Sequence, residues 1–124
     1  MATLRAPRPE RATSMPERIY LAGPMSPASF GLSEAPSDWD WNHPAFNRLA
    51  AQYRAQGYEV VNPAELDAEA GDVGDLEWHE YLRRDIKVLA DCTRIVMLPG
   101  WHNSKGARLE HYIASELGFE VDYL

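Results

Sequence analysis

Short apolar runs alternate with longer stretches of helical period along this chain, and that alternation admits few folds. The runs RIYLAG (18–23), YEVVN (58–62), RIVMLP (94–99) and FEVDYL (119–124) have strand length and β-branched or aromatic content. Between them, 43–56, 76–91 and 105–117 place apolar side chains three and four residues apart. Strands separated by helices pair in parallel through right-handed crossovers, because parallel neighbours cannot be joined by a tight hairpin. The expected fold is therefore α/β: a flavodoxin-like or Rossmann-like three-layer sandwich. Its four-stranded, mainly parallel sheet runs in the order 2-1-3-4, with helices on both faces.

Local chemistry sets the expected boundaries. Asn42 is placed to cap the first helix, with Pro44 in its first turn and Gly57 just beyond its end. Asp75 is placed to cap the second helix, whose Trp78, Leu82, Ile86 and Leu89 would face the sheet. Gly118 closes the third, in which Leu109, Tyr112, Ile113 and Leu117 form the apolar stripe and Glu110 falls on its flank. Residues 18–124 read as one domain. Residues 1–17 read as a disordered leader in which Met15 offers a second start.

Charge narrows the partners. The 12 basic and 19 acidic residues give a net charge of −7, which disfavours nucleic acid or an anionic membrane and leaves a small molecule as the expected ligand. Seven of the acidic residues lie between Glu65 and Glu80, a run that reads as a solvated loop. No apolar run reaches the roughly 18 residues of a membrane span. The single cysteine, Cys92, has no disulfide partner within the chain, which suits a cytoplasmic location, and it precedes an apolar run where a buried, inert thiol is expected.

In a sheet of this order, ligands bind beyond the carboxyl ends of the strands, at the switch point between the first and third. Three loops should meet there: GPMSPASFGLSEAPSDWDW, NPAELDAEAGDVG and GWHNSKG. The expected substrate contacts are Gly23, Pro24 and Met25 of the first loop, and Trp101, His102, Ser104 and Gly106 of the third. Ser104 and Gly106 open a helix whose free amides favour an anion, and Glu110 follows one turn later. Taken singly, the three reactive candidates also admit plain readings: Glu110 as a surface glutamate, Asp85 as the partner of a surface ion pair with Arg84, and Tyr20 as a core aromatic. No metal or cofactor is expected. His79 and Glu80 lack the second histidine of a zinc motif, and neither nucleotide fingerprint, G-x-x-x-x-G-K-[ST] nor G-x-G-x-x-G, occurs.

The segments IYLAGPM, LRRDIKVLADCTRIVML and SKGARLEHYIASELG, in that order, resemble the nucleoside 2-deoxyribosyltransferase superfamily. The likeness is strongest to its small phage-type members and its deoxynucleoside 5′-monophosphate N-glycosidases, and it covers about residues 18–124. The resemblance implies catalysis by Glu110 as nucleophile on C1′ of a deoxyribosyl group, with Asp85 serving the leaving base and Tyr20 orienting Glu110. It also implies a nucleoside or nucleotide substrate and a homodimer or larger homo-oligomer. Two other functions fit the same residues: a catalytically inactive nucleotide-binding module, and a hydrolase of an NAD-like ribosyl bond.

Overall fold

The computed structural model describes residues 17–71 and 76–124. Strand β1 (Arg18–Ala22) is followed by a long connection with one 3-10 turn (Pro27–Phe30), then helix α1 (His43–Ala55) and β2 (Glu59–Val61). Helices α2 (Pro63–Ala70) and α3 (Trp78–Leu89) precede β3 (Arg94–Met97). A 3-10 turn (Trp101–Asn103), α4 (Lys105–Glu116) and β4 (Glu120–Tyr123) complete the order. All three strand pairings are parallel and the order is β2-β1-β3-β4, as the crossover argument requires. Tyr20 stands level with Val61 on one side and Ile95 on the other, so β1 lies in the middle of the sheet.

Strand alternation divides the core into two layers. Tyr20, Ala22, Ile95 and Met97 point to one face, where Leu89 of α3 and Ala107 and Ala114 of α4 cover them. Ile19, Leu21 and Val96 point to the other, under Phe46 and Ala50 of α1 and Ala64 of α2. Helices thus lie on both faces. Among the described residues no helix is long and apolar enough to cross a membrane.

Three expectations are corrected, and a fourth falls outside the described residues. The acidic segment after β2 is not all loop: Asn62 accepts a hydrogen bond from the Ala64 amide, Pro63 occupies the first turn, and the helix α2 runs to Gly71 at φ +83°. Asn42 does not cap α1 with its side chain. It takes φ +60° and donates instead to the Pro24 carbonyl at 2.9 Å, tying the helix start to the loop after β1. Asp75 and residues 1–16 of the expected leader lie outside the described residues, while α3 is capped by Glu77, whose amide donates to the Glu80 carboxylate at 2.8 Å. Along α4 the buried stripe is Ala107, Glu110 and Ala114, so Glu110 lies at its centre, whereas Tyr112 and Leu117 are exposed. Small alanines let α4 approach the sheet closely, Ile113 packs against the same cluster, and Tyr112 and Leu117 lie outside that contact.

Candidate active site

The carboxyl ends of the strands open into a cavity of about 220 Å³. It is lined from β1 and its loop by Ala22, Gly23, Met25 and Ser26, from α3 by Trp78, Tyr81, Arg84 and Asp85, and from the start of α4 by Ser104, Gly106 and Glu110. Trp41, Phe46 and Asp67 close the remaining wall. Three separate loops converge there, as strand order demands.

Glu110 is the central group. Its side chain is only 6% exposed, and its Oε2 accepts a hydrogen bond from the Tyr20 hydroxyl at 2.8 Å. Tyr20 is held by its place in the central strand, so the phenol fixes the carboxyl from below. Burial, reinforced by the nearby charge of Asp85, pushes the Glu110 carboxyl up to about 8, against the pull of the Tyr20 hydrogen bond. Tyr20 is raised above the ordinary phenol range, first by burial and then by the Glu110 charge, so it remains a donor. Burial also lifts Asp85, to about 6, although Arg84 opposes the shift.

Asp85 is gripped by its neighbour: Arg84 Nε and Nη2 approach its Oδ1 at 2.9 and 2.8 Å. The same Nη2 donates to Oδ1 of Asp67 at 2.8 Å, and Oδ2 of Asp67 lies 3.0 Å from His43 Nε2. Arg84 also lies over the Tyr81 ring, 5.3 Å from its centroid. Asp67 comes from the acidic run expected to be solvated, and it is 5% exposed. Among the described residues no group of three or more His, Cys, Asp or Glu side chains is arranged to hold a metal ion.

The expected contacts divide. Tyr20, Asp85 and Glu110 come together, and Gly23, Met25, Ser104 and Gly106 line the cavity with Asp85 and Glu110. The Ser104 hydroxyl caps α4, accepting from the Ala107 amide at 3.1 Å. Gly23 has a packing reason of its own, since a Cβ there would lie 2.7 Å from Leu98 Cβ. Pro24, Trp101 and His102 do not line the cavity. Trp101 instead stacks on His111 at 4.5 Å, with His102 edge-on to it at 5.0 Å. The aromatic walls went unpredicted. Trp41 holds φ +58°, a rare backbone for a bulky side chain, and Trp78 carries Lys105 Nζ 4.5 Å from its ring centroid. Sequence WDW at 39–41 was the available signal for the first.

Fold and cavity together define a small parallel α/β domain with a buried glutamate and a partly buried aspartate lining a cavity at the carboxyl edge of its sheet. The chain belongs to the family described as Domain of unknown function (DUF4406), which matches residues 17–123. No curated protein matches it.

Proposed function

We propose that the cavity cleaves or exchanges the N-glycosidic bond of a deoxynucleoside or its 5′-monophosphate, with Glu110 as nucleophile. The observation that carries this reading is the buried Tyr20–Glu110 hydrogen bond at 2.8 Å, on a cavity that Asp85 also lines. The resemblance of the three sequence segments to nucleoside 2-deoxyribosyltransferases supplies the reaction. In the first step a Glu110 oxygen bonds to C1′ as the C1′–N bond breaks. The bonding pair leaves with the base, which takes up a proton from Asp85. In the second, water or another base attacks C1′, the ester to Glu110 breaks, and the attacking group returns its proton to the carboxyl pair.

The aromatic walls suit a flat base, since Trp41, Trp78 and Tyr81 line the cavity. A 5′-phosphate would find the amide end of α4 and the cation of Lys105 at one mouth of the cavity. The resemblance further implies a homodimer or larger homo-oligomer, which sedimentation of the purified protein addresses. The reaction is tested by incubating the protein with the common deoxynucleosides and their monophosphates and following free base by chromatography. Base release that disappears in Glu110→Ala, with folding intact, is the expected result. Absence of release and of exchange from all substrates would overturn it.

One observation favours a second reading, a nucleotide-binding module without turnover. A carboxyl that holds its proton near neutrality is not a nucleophile, and Glu110 is raised to about 8. Saturable nucleotide binding without base release identifies that case.

A further inference from the structure

The glycosidic reading assigns work to Glu110, Tyr20 and Asp85 and none to Asp67, yet Asp67 is as buried as Glu110 and both of its oxygens are engaged. A carboxylate removed from water on a cavity wall persists only where its charge is matched. Here the matching cation is Arg84, which lies between Asp67 on α2 and Asp85 on its own helix, with Nη2 2.8 Å from an oxygen of each. One guanidinium faces two carboxylates. Left to Asp85 alone, a two-nitrogen grip of this kind would hold that carboxyl firmly ionised and unable to give a proton.

The geometry points to Asp67 as a positioning residue that draws part of the Arg84 charge to the opposite wall and so leaves Asp85 able to carry a proton for the departing base. The use of that proton rests on the glycosidic reading; the sharing of Arg84 does not. Every element packed around Asp85 contributes a group to the balance. Arg84 comes from α3, Asp67 from α2, Glu110 from α4 and Tyr20, through Glu110, from β1. His43 of α1 acts through Oδ2 of Asp67.

Two variants pull in opposite directions. Asp67→Asn keeps the size and an acceptor for Arg84 but removes the charge, so the Asp85 midpoint should fall by about one pH unit, the scale of one close charge. Arg84→Gln removes the shared cation, so the midpoint should rise. Carboxyl carbon-13 NMR titration of Asp85 reads both shifts without substrate. The acidic limb of the pH profile for base release should move with the midpoint while KM changes little. An unmoved midpoint in Asp67→Asn, shifts of the same sign in both variants, or lost activity with an unmoved limb would overturn the inference. If Asp67→Asn does not fold, absence of a rise in Arg84→Gln overturns it alone. Should the wild-type protein release no base, the glycosidic reading fails while the NMR midpoints still decide the sharing of Arg84.

Discussion

A carboxyl sealed from water against a phenol is hard to ionise, and Glu110 shows the consequence. With Asp85 lifted to about 6 and Glu110 to about 8, the pair holds one proton and one negative charge between those values. Glycosyl transfer needs the charge on Glu110 and the proton on Asp85, the reverse of the order these values favour, so the reactive form is the minority one in which the shared proton has moved from Glu110 to Asp85. Base release should therefore follow a bell, falling below about pH 6 as both carboxyls protonate and above about pH 8 as neither holds a proton. A monotonic profile would contradict this. The same shifts bear on stability. Both folded values lie above the ordinary 4.5 and 3.8, so the folded state binds these protons more tightly than the unfolded chain. Their contribution is complete below about pH 4 and is lost as pH rises through about 6 and 8. Glu110→Gln removes the Glu110 share, so relative to wild type it should gain on the order of 1–3 kcal/mol at about pH 9 and little at pH 4, measured by urea unfolding. That Tyr20, Asp85 and Glu110 meet was legible because the three segments that carry them resemble those of nucleoside 2-deoxyribosyltransferases. Asp67 was not, since an acidic run ordinarily marks a solvated surface and only tertiary contact with Arg84 and His43 distinguishes one member.

At the level of elements, the four strands and their order followed from the alternation of apolar runs, and each strand lies within a residue or two of its expected span. Helix α2 was missed although Asn62, Pro63 and Glu65 form a helix start: cap, first-turn proline, acidic third position. The length of the acidic run outweighed that signal. Asn62 matters twice, because its Oδ1 caps α2 and its Nδ2 donates to Asn47 Oδ1 on α1 at 2.9 Å. Asn62→Ala should lower stability by about 1–2 kcal/mol and loosen Asp67, which the same helix carries. Thermal unfolding checks the first effect, and a downward shift of the acidic limb of the pH profile for base release checks the second. The apolar stripe of α4 was misjudged for a different reason: a helical wheel ranks side chains by hydrophobicity, whereas close contact with a sheet selects small ones. Ala107 and Ala114 fit that contact, and Glu110 is carried inward between them.

Across the whole molecule, the end of the sheet away from the cavity is closed by Arg94. Its guanidinium reaches Glu17 before β1, Glu120 and Asp122 in β4. Replacement by Met should lower stability by about 1–2 kcal/mol, with base release per folded molecule unchanged, because clasp and cavity lie at opposite ends of the strands. An equal loss of turnover and fold would be expected only if the sheet transmitted strain along its length. Tyr20 and Glu110 are 90 residues apart in sequence, the phenol in the first strand and the carboxyl in the last helix. On a ribosome the phenol is made early and the carboxyl late, so the two can pair only after α4 docks, and the cavity becomes complete only as folding ends.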